Sequence, residues 1–83
     1  MTSRSEIKEW LGSSEEMKKE FSHMIVVCDT YDYEDYPVYV NRNENVQEVI
    51  DNYSSKPMQQ IMEVYSYDLN IFDQLGSDRV WNI

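Results

Sequence analysis

Cysteine and histidine each occur once in these 83 residues, and glycine and proline only twice each. With Cys28 alone, an intramolecular disulfide and a cysteine-based zinc site are both excluded, and a reducing cytosol is the natural compartment. Gly12 and Gly76 are too few and too far apart to build a glycine-rich phosphate loop. No run of about 20 apolar residues occurs, so no transmembrane helix is expected. The first apolar run is short and follows charged residues, unlike a signal peptide. Cations are scarce too: 7 Lys and Arg stand against 16 Asp and Glu, a net charge of −9. Direct binding to DNA, RNA or an anionic membrane needs a basic patch, which this balance argues against. It suits a cationic partner, or solubility alone.

What is present is aromatic and apolar. Seven Tyr, five Met, two Trp and two Phe can supply one small core, so residues 1–83 are expected to form a single domain. Ser3-x-x-Glu6 reads as a capping box that opens a helix, and Ser13-x-x-Glu16 as a second one after a break at Gly12. Ile7, Trp10, Leu11, Met17 and Phe21 recur at roughly helical spacing. Met24 to Asp29 is a short, β-branched apolar run and predicts a buried central strand. Tyr36 to Asn41 is the next strand, with Pro37 near its start expected on an edge or at the first pairing-free position. Its Tyr36, Val38 and Val40 share one face, and Pro37 and Tyr39 the other. The hairpin loop between them, Thr30 to Asp35, exceeds a tight turn and predicts a protruding tip.

Asn45-x-x-Glu48 caps a further helix whose Val46, Val49, Ile50 and Tyr53 form one apolar face, ended by Ser54-Ser55-Lys56-Pro57. Gln59 to Tyr67 predicts a third strand. Alternation puts Ile61, Glu63, Tyr65 and Tyr67 on one face, and Met62, Val64 and Ser66 on the other. A short helical turn is expected over Leu69 to Leu75, stopped by Gly76. Val80, Trp81 and Ile83 are expected to dock on the body. The sum is an α+β fold of order α-β-β-α-β, a small three-stranded sheet with two helices packed on one face.

The chemistry-bearing stretch is Cys28 to Val40. It interleaves Asp29, Asp32, Glu34 and Asp35 with Tyr31, Tyr33, Tyr36 and Tyr39, and no Lys or Arg occurs between Lys19 and Arg42. Tyr36 and Tyr39 are explained as cross-strand packing, as are Tyr65 and Tyr67. Core packing does not explain Tyr31 and Tyr33 together, and tyrosine is favoured at interfaces. Tyr31, Asp32, Tyr33, Glu34 and Asp35 are therefore the candidate binding residues. Carboxylates along a hairpin can imitate a row of phosphates and occupy a basic groove, with salt-sensitive affinity. The plainer reading is a charged tip that keeps the protein soluble.

Other chemistry is less well supplied. The order D-x-x-D-x-E-D lacks the glycine and ligand spacing of a calcium loop, so no metal is expected. His23 and Cys28 stand five residues apart, too far along a strand for a nucleophile–base hydrogen bond, and on opposite faces. No catalytic residue and no cofactor is assigned.

The run from His23 to Val40, with Met58-Gln-Gln-Ile-Met-Glu-Val-Tyr65, resembles a group of small uncharacterised proteins carried by bacteriophages and prophages. The resemblance runs over most of the chain. It implies a phage accessory protein in a bacterial host cytoplasm and brings no activity with it. Size and acidity are also similar to phage inhibitors that mimic DNA. The expected function is a non-enzymatic acidic binding protein that inhibits or modulates a basic host protein, such as a nucleic-acid enzyme. The alternative is a small-ligand or nucleotide-binding module, for which Arg42, Lys56 and Arg79 are the main cations. A metal-dependent enzyme built on the acidic loop ranks last.

Overall fold

The computed structural model describes residues 2–83. Seven elements follow one another: α1 (Arg4–Leu11), α2 (Ser14–Glu20), β1 (Phe21–Asp29), β2 (Glu34–Asn41), α3 (Val46–Ser54), β3 (Gln59–Ser66) and α4 (Ile71–Leu75). The three strands form one antiparallel sheet in the order β2-β1-β3. The α+β class and the α-β-β-α-β order expected from the sequence are those of the molecule.

The helix ends follow local chemistry. The Ser3 hydroxyl accepts the Glu6 N–H at 3.2 Å and opens α1. Gly12, at φ 67, ends it in a backbone conformation that costs glycine little. Ser13 precedes α2 but makes no side-chain cap bond, so the second expected capping box is not formed. The Asn45 side chain accepts from the N–H groups of both Gln47 and Glu48 to start α3. Phe21, read as a helical position, is instead the first residue of β1.

The helices do not share one face of the sheet. Ile7 and Leu11 of α1 pack with Met24, Val26, Tyr65, Tyr67 and Val80. Ile50 of α3 packs on the opposite face with Ile25, Val27, Val40, Ile61 and Val64. The reason lies in β1, where Met24 through Cys28 are all buried. Successive residues of a strand point to opposite faces, so a continuous buried run requires cover on both.

β3 also departs from simple alternation. Val26 pairs with Glu63, but Val27 pairs with Ile61, leaving Met62 as an extra residue. This bulge turns Ile61 to the α3 side beside Val64, and Met62 to the α1 side beside Tyr65. The outer edge of β3 is covered: Val64 donates to the Val80 carbonyl at 2.9 Å and accepts from Asn82 at 3.0 Å. Val80 is buried by this docking, whereas Trp81 and Ile83, expected to dock as well, are 41% and 59% exposed. Pro37 lies in the other edge strand, where a missing N–H costs least. Among the described residues, no helix is long and apolar enough to cross a membrane.

Candidate functional site

The hairpin tip is shorter than the sequence suggests. Asp29 pairs with Glu34, so the strands close to leave only Thr30, Tyr31, Asp32 and Tyr33 as the turn. Two carboxylates fold it. Asp29 accepts the Tyr31 N–H at 2.9 Å, and Asp32 accepts the Glu34 N–H at 3.0 Å. Both are short Asx turns, in which a side chain stands in for a backbone acceptor. The Tyr33 N–H closes the loop on the Asp29 carbonyl at 2.7 Å. Acidic residues here therefore shape the turn as well as charge it.

Tyr31 and Tyr33 stand 78% and 75% exposed on this turn. Asp32 and Glu34 are exposed beside them, and neither belongs to an ion pair among the described residues. Asp35 is separated from that group. It follows Glu34 in β2, so its side chain takes the opposite face, where it is half-buried and accepts the Thr2 N–H at 3.3 Å. Of the five candidate residues, Tyr31, Asp32, Tyr33 and Glu34 thus come together at the tip, while Asp35 faces the α1 side.

One residue of the tip was not legible in the sequence. The Thr30 N–H donates to the Met58 carbonyl at 2.8 Å, which fixes the residue before β3 against the turn. Met58 is 57% exposed. Tyr33 and Met58, at φ 58 and 63, are the described non-glycine residues with left-handed backbone. Such residues are uncommon, and bulky ones are strained there. Both strained positions therefore meet at one end of the molecule, and each carries a large exposed apolar side chain. The signal that could have found Met58 is the Pro57-Met58 step just before a strand, a turn position, but nothing local links it to residue 30.

The remaining reactive groups are occupied or insulated. Among the described residues, no group of three or more His, Cys, Asp or Glu is placed to hold a metal ion. Cys28 is buried, and burial first, then the neighbouring Asp35, pushes its thiol above the ordinary value. A thiol held protonated is a poor nucleophile. His23 lies on the other face of β1 and contacts the Ser22 hydroxyl at 2.8 Å. Of the three cations considered for a ligand site, Arg42 is paired with Asp68 at 2.8 Å and Lys56 lies 4.2 Å over the Tyr53 ring. Arg79 lies 5.0 Å over the Trp81 ring. Compared with protein-family models, curated proteins and solved structures, the chain matches none.

Proposed function

We propose that this chain is a non-enzymatic acidic binding protein whose hairpin tip docks on a basic protein, as an inhibitor or modulator that imitates nucleic acid. The observation that carries this reading is the placement of Tyr31, Tyr33 and Met58, large and exposed, on backbone fastened by the Asp29 and Asp32 side chains and by backbone hydrogen bonds. A rigid aromatic side chain gives contact area at small entropic cost, which is why interface anchors are often tyrosines. Strain retained at an exposed site is better explained by what the side chain touches in a complex than by the free fold. Asp32 and Glu34 leave their charge available to meet Lys or Arg of the partner and to steer its approach. The reading extends to a phage accessory protein in a bacterial host cytoplasm, with a nucleic-acid enzyme as the partner class; the resemblance of the run from His23 to Val40 to phage and prophage proteins supports it.

The test is a quantitative capture. Wild-type protein and a Tyr31→Ala/Tyr33→Ala variant are immobilised, exposed to nuclease-treated bacterial lysate, and the retained proteins are counted by mass spectrometry. The expected result is a basic, nucleic-acid-binding protein held by the wild type and lost from the variant. Equal retention by both would remove the tip from the binding surface.

A further inference from the structure

The sheet has two outer edges, and the chain treats them differently. Val80 and Asn82 lie along the edge of β3, bonded to Val64. The edge of β2 carries no strand, since β2 pairs with β1 alone. It runs for eight residues, Glu34–Asn41, and from Tyr36 to Val40 it has no charged side chain. Natural edge strands are kept short, charged or covered, because an open ladder invites a further strand.

Pro37 fixes which backbone groups point outward. Without an N–H it cannot exchange two hydrogen bonds with Val26, its partner in β1, so theirs is a non-hydrogen-bonded pair. Alternation then turns the backbone of Tyr36, Val38 and Val40 toward β1, and that of Pro37, Tyr39 and Asn41 away from it. The Asn41 N–H accordingly bonds outside the sheet, to the Glu44 carboxylate at 3.0 Å. The outward Tyr39 N–H and Pro37 carbonyl meet no partner among the described residues. Side chains along this edge are half-buried on both faces, Tyr36 and Val38 on the α3 side and Pro37 and Tyr39 on the α1 side.

We propose that a second copy of this chain covers this edge, β2 against β2 about a two-fold axis at Val38, joining the two sheets into one. Antiparallel pairing about Val38 sets Pro37 of each copy opposite Tyr39 of the other. The Tyr39 N–H then donates to the Pro37 carbonyl, twice by symmetry. An axis at Pro37 would face two residues that both lack an N–H. An axis at Tyr39 would set Pro37 opposite Asn41, whose N–H Glu44 already holds. About Val38, the two Val38 side chains meet on one face, and Pro37 meets Tyr39 on the other. Glu34 of each copy comes level with Arg42 of the other, opposite in sign. Arg42 is held on Asp68, so this pair favours the register without anchoring it. Asp35 of each copy faces the Asn41–Glu44 pair of the other, and two molecules of net charge −9 repel. Association therefore strengthens with salt, the reverse of a tip that docks on a basic protein. The dimer stands whether or not the tip binds.

Sedimentation equilibrium of the full chain, at micromolar and millimolar protein in low and high salt, reads the association. The mass should rise with concentration from 10.0 kDa toward twice that value, and further in high salt. Amide hydrogen exchange locates the contact. The Tyr39 amide should be unprotected at micromolar protein and protected at millimolar, while the Val38 amide, bonded within the sheet, is protected at both. Val38→Lys sets two like charges on the axis and should raise the dissociation constant at least about tenfold. Gln60→Lys makes the same charge change at an exposed position of β3 and should leave the constant unaltered. The proposal is overturned if the mass stays at 10.0 kDa at millimolar protein in high salt. It is equally overturned if a dimer forms with the Tyr39 amide unprotected, or if Val38→Lys, with a folded spectrum, associates like the wild type.

Discussion

Tyr33 carries a conflict between fold and surface that a single substitution resolves. Its φ of 58 suits glycine, while its ring is 75% exposed and contributes little packing. Tyr33→Gly removes the steric cost and also loosens the unfolded chain. The two effects oppose each other, so urea denaturation should show stability changed by no more than about 1 kcal/mol. Partner binding should nevertheless weaken. A loss of several kcal/mol would instead mean that the ring supports the fold. Glu63 is the opposite case, since it takes hydrogen bonds from Arg4, Tyr65 and the Val80 N–H. Burial first, and then this carboxylate, push the Tyr65 phenol above its ordinary value. Arg4→Ala should cost about 1.5–3 kcal/mol, the range for hydrogen bonds to charged groups, when read by chemical denaturation. His23 provides a pH test. Burial holds its imidazole below the ordinary value, with Asp68 opposing and Arg42 reinforcing. The fold therefore favours the neutral ring. That contribution is complete above about pH 6.5, the unfolded value, and is lost as pH falls through the lower folded value. Wild-type melting temperature should consequently fall more than that of His23→Gln on going from about pH 7 to about pH 5; equal slopes would contradict it. None of these partnerships was legible in the sequence, because Arg4 and Glu63 are 59 positions apart and no local period joins them.

At the scale of elements, what local chemistry decides was legible and what the third dimension decides was not. Ser3, Gly12 and Asn45 mark helix ends by hydrogen bonds or backbone freedom within a few residues, and they do so in the molecule. The strands were recognisable from β-branched runs, and Pro37 left β2 either an edge or a pairing-free start, of which the sheet order takes the edge. The assignment of helices to faces was not, since period two says that residues alternate but not which side a helix covers. The fully apolar run from Met24 to Cys28 was the available signal for cover on both sides. The bulge at Met62 left no signal, because one extra residue in a strand looks like any other. The two-faced core has a consequence for mutations. Val26 and Ile50 belong to separate packed clusters on opposite faces. Ile50→Ala should cost about 2–4 kcal/mol, and Val26→Ala somewhat less. Their costs should add within about 0.5 kcal/mol in the double variant, as for residues without shared neighbours. A larger interaction energy in the double-mutant cycle would show that the two faces are mechanically coupled.

For the whole molecule, the net charge of −9 and its local organisation act together. The acidic, tyrosine-rich stretch was visible in the sequence because charge and aromatic content are compositional. That Asp29 and Asp32 commit their carboxylates to the turn, and that Asp35 leaves the tip, required the fold. Carboxylates so engaged do not converge on a cation. Millimolar Ca²⁺ or Mg²⁺ should leave the melting temperature nearly unchanged, whereas a specific site would stabilise by about 2.7 kcal/mol at a hundredfold excess over its dissociation constant. The tip as a docking surface is tested most directly by binding kinetics to the captured partner at low and high salt. Wild type is compared there with Asp32→Asn/Glu34→Gln and with Tyr31→Ala/Tyr33→Ala. Asn at position 32 keeps an oxygen to accept the Glu34 N–H, so the turn survives while its charge is removed. The charge variant should associate more slowly, with a flatter dependence on salt. The tyrosine variant should dissociate faster, by about tenfold for each 1.4 kcal/mol of binding free energy that the rings supply. Wild-type rates for both variants at low salt would contradict the account.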